Sequence, residues 1–163
     1  MSQNGTAGTG RPGGDSLVLL KKFRLKIPDS LREFPYRRVL SWEQYQRASR
    51  GLAPAGPEDK WLVLCRGGRL HFFRSGNGVL VFRVSFANRQ GAFPAGRAEV
   101  NADSAQLLPQ PDRYEACLLD YLIDTLLLGR RAKFPAPPGT DGERAAMLER
   151  LWMGRAAQQT MRL

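Results

Sequence analysis

Residues 60–86 constrain the fold more than any other stretch of this chain. They read KWLVLCRGGRLHFFRSGNGVLVFRVSF, which is three short segments of aliphatic, branched and aromatic residues separated by glycine-bearing turns. Such segments are typical of β-strands. Gly67-Gly68 supplies the two positive φ angles that a tight hairpin turn requires. The sequence therefore predicts three consecutive antiparallel strands, with a second turn within residues 75–78.

Pairing across the first turn predicts which side chains share a face of the sheet. One face is almost wholly apolar and holds His71 together with Leu62, Leu64, Phe73, Leu80, Phe82, Val84 and Phe86. The other face is mixed and holds Trp61, Val63, Cys65, Leu70, Phe72, Val79 and Val81 beside Arg74, Arg83 and Ser85. We expect the first face to be the main core. The mixed face is expected to be partly covered or to bind a partner.

The segment 114–128 is rich in Leu and has only a narrow polar stripe, which predicts a long helix buried against the sheet. Asp112 with Glu115 three residues later indicates its start, and Gly129 its end. A capping box at Ser41 and Gln44 predicts a short helix to about residue 49. The expected fold is α+β, an antiparallel β-meander of four to five strands packed against one long buried helix, plus a C-terminal helix.

The chain of 163 residues is expected to contain one domain. Residues 1–16 are mainly Gly, Ser, Thr and Asn, with too few apolar side chains to offset the entropy of ordering, and we predict disorder there. Residues 17–135 form the predicted α+β domain, in which the alternation over residues 17–27 predicts a strand that extends the sheet. Residues 136–163 are predicted to be a linker and a helix over about 142–157.

A net charge of +10 favours contact with an acidic partner. Basic residues concentrate before position 51, where a predicted basic patch comprises Lys21, Lys22, Arg24, Lys26, Arg37 and Arg38. Aromatic residues lie among them, a combination that can bind single-stranded nucleic acid. A solvated basic face, or an interface for an acidic protein, explains the same pattern.

Candidate catalytic groups are scarce. His71 is the one histidine and is expected to be a core residue, and two separated cysteines with one histidine offer no zinc site of the usual ligand types. The sequence therefore predicts no metal, no cofactor and no catalytic set, and it argues against a self-sufficient enzyme. The polar N-terminus lacks an apolar signal region, and no run reaches the ~18 apolar residues of a spanning helix. We expect a cytoplasmic protein without membrane contact.

The turn after the second strand is the predicted binding region. Trp61 lies opposite Arg74 in the predicted register, which favours a cation–π pair. The predicted binding residues are Trp61, Phe72, Arg74, Ser75, Asn77, Gly78, Arg83 and Asn101.

Residues 60 to about 135 resemble an uncharacterised family of bacterial domains. The resemblance lies in KWLVLCRGGRLHFFRSGNG, in Val100-Asn101 and in the acidic-start, Leu-rich segment DRYEACLLDYLIDTLLLG. Arg74, Ser75, Gly78 and Asn101 match the family pattern, whereas Gly76-Asn77 replaces a Trp-Thr pair. Similar segments occur with ADP-ribosylglycohydrolase-type domains, so the resemblance implies an ADP-ribosylation or conflict context.

These observations support two main hypotheses. The first is a non-enzymatic protein-interaction or regulatory module of a bacterial cytoplasm, in a toxin, immunity or ADP-ribosylation context. The alternative is a nucleic-acid-binding accessory protein that uses the basic stretch 21–50. A third hypothesis is a small hydrolase or transferase that acts on a nucleotide-like ligand near Arg74 and Asn101. The sequence predicts neither the identity of a partner nor the oligomeric state.

Overall fold

The structure is a computed structural model that describes residues 13–154. Its elements are helix α1 (Gly13–Lys22), strands β1 (Leu31–Phe34) and β2 (Val39–Ser41), helix α2 (Trp42–Ser49), strands β3 (Trp61–Arg66), β4 (Arg69–Arg74), β5 (Leu80–Phe86) and β6 (Ala92–Asn101), helix α3 (Asp112–Leu122), a π-helical turn (Ile123–Leu127) and helix α4 (Gly142–Met153). The strands form one antiparallel sheet in the order β1-β6-β5-β4-β3, and β2 also pairs with β6. The fold class is α+β, as predicted.

The predicted β3–β4 hairpin is confirmed residue by residue. Trp61 lies opposite Arg74, and Val63 lies opposite Phe72. Gly67 and Gly68 have φ angles of 57° and 72°, so the turn uses the conformation that glycine adopts without steric cost. The capping box of α2 is also confirmed, because the Ser41 hydroxyl accepts the Gln44 N–H while the Gln44 side chain accepts the Ser41 N–H.

A β-bulge in β5 makes the predicted face assignment wrong for half of that strand. Phe73 pairs with Leu80, but Phe72 pairs with Phe82, so Val81 is an additional residue on β5. Because successive side chains point to opposite faces, one additional residue moves every later side chain to the other face. Phe73 and Phe82 therefore lie on opposite faces. The side chains of Phe82, Val84 and Phe86 are predicted to share a face with Phe73, but they lie on the opposite face of the sheet.

Two apolar clusters lie on the two faces of the sheet. The larger lies on the face we call the helix face, which is covered by α2, α3, the π-helical turn and α4. Its buried strand residues include Trp61, Val63, Leu70, Phe72, Phe82, Val84, Phe86 and Val100. The other face, which we call the α1 face, buries Leu62, Leu64, Phe73 and Leu80 under Leu19, Leu20, Phe23 and Leu25. The predicted mixed face is therefore the main core, and the prediction that the apolar face is the main core is wrong.

The N-terminal region also differs from its prediction. Residues 17–22 belong to helix α1, and only Lys26 makes a strand-like contact, a single parallel bridge to Val79. Leu19, Leu20 and Phe23 match the helical spacing, and they cover apolar side chains that a strand added at the edge of the sheet could not reach. The predicted strand over 17–27 is therefore wrong. Disorder is predicted for residues 1–16. Of these, residues 1–12 lie outside the described residues, and residues 13–16 belong to α1.

The Leu-rich segment is helical, but it is not uniformly an α-helix. Pro111 is the N-cap residue of α3, and the backbone changes to a π-helical turn at Ile123. Gly129, at a φ of 63°, follows the turn. In α4 the Asp141 side chain accepts the N–H of Arg144 and caps the helix. The predicted end of that helix at residue 157 lies outside the described residues.

Gly78 tests the packing of residues 23–26 on the β4–β5 turn. A Cβ at Gly78 would lie 2.6 Å from the carbonyl oxygen of Arg24, whereas a Cβ at Gly67 would meet no atom within 4 Å. Both glycines have positive φ, so we expect Gly67→Ala to lower the free energy of unfolding by about 1 kcal/mol. Gly78→Ala should lower it by about 2–4 kcal/mol because backbone must also move. Urea denaturation measures both, and equal losses would contradict this packing.

Candidate functional site

Arg74 joins the sheet to the end of the last helix. Its Nη1 and Nη2 atoms donate to the carbonyl oxygens of Trp152 and Leu151, each at 2.9 Å. The guanidinium carbon lies 4.9 Å from the ring centroid of Trp61 and 5.5 Å from that of Trp152. Trp61 Nε1 also donates to the carbonyl oxygen of Trp152, at 2.7 Å. The predicted cation–π pair of Trp61 and Arg74 is confirmed, and Trp152 extends it.

This junction has a clear physical cause. The last carbonyl groups of a helix have no partner within the helix and carry partial negative charge. The cross-strand pair of Trp61 and Arg74 offers these carbonyl groups an indole N–H and a guanidinium at the end of β4. Each cation–π contact contributes about 0.5–2 kcal/mol. The pair therefore fixes the C-terminal end of α4 on the sheet.

The charge of Arg74 lacks a full counter-charge. Among residues 13–154, no carboxylate forms an ion pair with it. Burial alone lowers the pKa of the guanidinium, because desolvation penalises its charged form. The helix carbonyl groups supply only partial charge. A carboxylate of another molecule would therefore be attracted to the guanidinium of Arg74.

A pocket of about 210 Å³ opens beside this junction. It brings together three of the predicted binding residues, Arg74, Asn77 and Asn101. The residues that line it are Arg74, Asn77, Val79, Val81, Asn101, Gln106, Leu107, Leu151 and Trp152. Pockets for drug-sized ligands usually measure about 300–1,000 Å³. This pocket therefore fits a side chain or a small group better than a whole cofactor.

The amide groups in the pocket have a fixed orientation. Asn77 Oδ1 accepts the N–H of Val79 at 3.0 Å, and Asn101 Oδ1 accepts the N–H of Asp103 at 2.8 Å. Asn101 Nδ2 then donates to Gln106 Oε1 at 2.8 Å and to the carbonyl oxygen of Leu80 at 3.1 Å. The amide oxygens are thus engaged, while Asn77 Nδ2 and Gln106 Nε2 have no partner in the described chain. The pocket offers hydrogen-bond donors to a ligand.

Apolar side chains surround these donors. Leu151 and Leu107 line the pocket, and Leu151 is 59% exposed. Met147, one helical turn before Leu151, is 52% exposed, and Leu108, next to Leu107, is 75% exposed. Exposed apolar side chains that lie next to one another, rather than singly, are typical of a surface that another molecule covers.

The other predicted binding residues lie outside the pocket. Trp61 and Phe72 are buried in the core, and the Ser75 hydroxyl donates to the carbonyl oxygen of Asp59. Gly78 packs on residues 23–24, and Arg83 lies on the α1 face in an ion pair with Glu99. Sequence reasoning missed Gln106 and Leu107, which lie in the loop after β6, and Leu151 and Trp152, which lie in α4, because only tertiary contacts bring these two segments to the pocket.

The six residues of the predicted basic patch do not form one patch. The side chains of Lys21, Lys22, Arg24 and Lys26 are exposed near the start of β5, since Lys26 pairs with Val79. Arg37 and Arg38 lie near its far end, where the carbonyl oxygen of Arg38 accepts the N–H of Ala95. A strand of this length separates the two groups by about 20 Å.

Arg38 belongs to a satisfied polar cluster with Tyr36, Asp120 and Asp124. Its guanidinium forms ion pairs with Asp120 at 3.0 Å and with Asp124 at 2.6 Å. The Tyr36 hydroxyl donates to Asp120 at 2.6 Å, and burial, followed by this hydrogen bond, raises the pKa of Tyr36 well above its ordinary value. These contacts anchor α3 and the π-helical turn to the loop before β2. Because both carboxylates compensate the charge of Arg38, this guanidinium is not a candidate for binding an acidic ligand.

Glu115 is a buried acid that sequence reasoning placed only as a capping residue. It is 2% exposed in the first turn of α3. Burial raises its pKa to about 7, although the charge of Arg32 and a hydrogen bond from the Gln110 N–H oppose this shift. A carboxyl group with such a pKa is neutral in mildly acidic solution and charged in mildly basic solution.

Within residues 13–154, no cluster of three or more His, Cys, Asp or Glu residues is arranged to hold a metal ion. None of the described helices has the length and apolar character needed to cross a membrane. His71 is half-buried on the α1 face, not in the core as expected.

No protein-family model matches the chain, and no curated protein or solved structure is significantly similar to it.

Replacing Arg74 tests the junction between the sheet and α4. Arg74→Lys keeps the positive charge but loses the planar guanidinium that contacts both Trp rings, and one of its two carbonyl contacts. We expect it to lower the free energy of unfolding by about 1–3 kcal/mol. Arg69→Lys, an exposed position on the same strand, should cost less than about 0.5 kcal/mol. Urea denaturation of both variants checks this, and similar small losses would contradict the junction.

Glu115→Gln tests the buried acid. The pKa of Glu115 is higher in the folded state than its ordinary value of 4.5, so the folded state binds the proton more tightly. The contribution of Glu115 to stability is therefore lost as the pH rises from about 4.5 to about 7. Glutamine mimics the protonated form, so the variant should match the parent near pH 4 and exceed its stability by up to about 3 kcal/mol near pH 8. Denaturation curves at both pH values that show a constant difference would contradict this assignment.

Proposed function

We propose that this protein is a protein-interaction module, and that the pocket beside Arg74 captures a partner segment in which a carboxylate lies next to an apolar side chain. The observation that carries the proposal is the half-buried guanidinium of Arg74, which has no carboxylate partner in the described residues and lines the pocket. A carboxylate at this position would complete its charge compensation, and charge-assisted hydrogen bonds of this kind are about twice as strong as neutral ones.

The donors in the pocket support an acidic ligand. Asn77 Nδ2 and Gln106 Nε2 can each donate to a carboxylate or carbonyl oxygen, because their own amide oxygens are engaged. A ligand with further donors would leave hydrogen bonds unmade, which costs about 1–3 kcal/mol for each buried group. The pocket therefore selects acceptor groups over donor groups.

The apolar rim supports a protein segment over a free small acid. Leu108, Met147 and Leu151 extend the apolar surface beyond the pocket. Protein interfaces place apolar anchors next to a few specific polar contacts. An acidic segment with Leu, Met or Phe beside the acid would use both. The net charge of +10 also favours the approach of an acidic partner.

Other parts of the sequence hypotheses stay predictions. They include the bacterial cytoplasm, the toxin, immunity or ADP-ribosylation context, and the binding of nucleic acid through residues 21–50.

Labelled short peptides test the proposed function. We expect a peptide that alternates Asp with Leu to bind, as measured by fluorescence anisotropy, and to shift the side-chain amide signals of Asn77 and Gln106 in NMR spectra. Peptides with Lys in place of Asp, or with Ser in place of Leu, should bind at least about tenfold more weakly. Equal binding of the Lys peptide would refute the proposed acidic ligand.

Leu151→Glu should weaken binding of the Asp–Leu peptide by at least about tenfold, because it removes an apolar contact and adds a like charge. The matched control is Val39→Glu, which makes the same charge change at an exposed apolar residue on β2, away from the pocket. If both variants weaken binding equally, the effect reflects net charge alone, and the pocket is not the site.

A further inference from the structure

Part of the α1 face lies beyond the side chains that α1 covers, and it is rich in arginine. We call Arg66, Arg69, Arg83 and Arg97 the arginine cluster. The strand register brings these residues together, because Arg66 lies opposite Arg69, Arg69 lies opposite Ser85, and the Ser85 hydroxyl accepts the N–H of Arg97 at 2.9 Å. Neighbouring strands lie about 4.8 Å apart. The cluster therefore spans four strands on one surface.

Arg66 and Arg69 form an unusual cross-strand pair. Like charges directly opposite each other on neighbouring strands are destabilising. Both residues are exposed, and neither forms an ion pair with a carboxylate in the described part of the chain. They flank the Gly67-Gly68 turn, where a Cβ on Gly67 would meet nothing within 4 Å, so the turn is open to a ligand. An anion between the two guanidinium groups would relieve their repulsion.

The rest of the cluster is only partly neutralised. Arg83 pairs with Glu99 at 2.6 Å, and Arg97 pairs with Glu33 at 2.8 Å. These carboxylates hold two of the arginines in place. Glu99 also interacts with the charge of Arg69, but no carboxylate in residues 13–154 forms an ion pair with Arg66 or Arg69. His71 adds no charge here near neutral pH, because burial, with the charges of Arg83 and Arg66, lowers its pKa. The surface keeps a net positive charge.

The cluster lacks the apolar anchors of a protein interface. The large exposed apolar side chains of residues 18–154 are Val18, Ile27, Val39, Trp42, Leu108, Met147 and Leu151. None of them belongs to β3, β4 or β5, which carry most of the cluster. Guanidinium groups bind phosphate groups through two parallel hydrogen bonds. Charge without apolar contact is typical of binding to a nucleic-acid backbone.

We propose that the arginine cluster binds the phosphate backbone of nucleic acid, without base specificity, through Arg66 and Arg69. This site lies on the face of the sheet opposite the helix face. It is independent of the pocket beside Arg74, and it differs from the basic stretch 21–50.

The test uses the full chain with a labelled single-stranded oligothymidylate and a labelled random-sequence duplex. We expect binding to weaken steeply as salt rises from about 50 to about 200 mM. The double variant Arg66→Gln with Arg69→Gln should reduce the magnitude of the salt slope by about 1.4 on the single strand, which corresponds to two lost phosphate contacts. Its urea denaturation curve should show no loss of stability, because the variant removes a like-charge pair.

The matched control is Lys21→Gln with Lys22→Gln, which removes the same charge from the predicted basic stretch. It should leave the salt slope of the parent unchanged. An equal effect of both double variants, a larger effect of the lysine variant, or no binding by the parent protein would each overturn the proposal. Binding of a poly-glutamate peptide as tight as that of the oligonucleotide would overturn it too, because the surface would then serve an acidic protein.

Oligonucleotide binding should leave the NMR signals of the Asn77 and Gln106 side-chain amides unshifted, which separates this site from the pocket.

Discussion

The additional residue at Val81 decides which side chains of β5 enter which core. It places Phe82, Val84 and Phe86 under the helices on the helix face, while Leu80 stays with Phe73 on the α1 face. The helix face then needs the cover that α3, the π-helical turn and α4 provide. The small apolar cluster left on the α1 face is covered by α1, by Phe23 and Leu25 after it, and by Leu31 of β1. The part of that face beyond α1 stays open, and there the arginine cluster lies.

Polar contacts on α3 and α4 then fix the helices on the sheet. Arg32 pairs with Asp112 at the start of α3, and Arg38 pairs with Asp120 and Asp124 near its end. Tyr121 donates to Glu149 at 2.6 Å and joins α3 to α4. At the end of α4, Arg74 has no ion pair within residues 13–154 and donates to carbonyl groups instead. Its charge is the least compensated in this set, which makes the adjacent pocket the candidate site.

The two proposed surfaces differ in chemistry. The pocket combines one guanidinium with amide donors and exposed Leu and Met side chains, which suits an acidic and apolar protein segment. The arginine cluster combines several guanidinium groups with no large exposed apolar side chain on β3, β4 or β5, which suits phosphate. Because the two surfaces lie on different faces and use different residues, the two proposals do not exclude each other.

Local sequence patterns predict three features that the structure contains: the β3–β4 hairpin with its register, the capping box of α2, and the helical character of the Leu-rich segment. Glycine positions, capping residues and short-range alternation specify these features because the interacting residues are close in the chain. Four other features arise from tertiary packing: the bulge at Val81, the helix at residues 17–22, the burial of Glu115 and the pocket formed with Trp152. Each of these features depends on which distant segment covers which face of the sheet, and a local sequence pattern does not specify that packing.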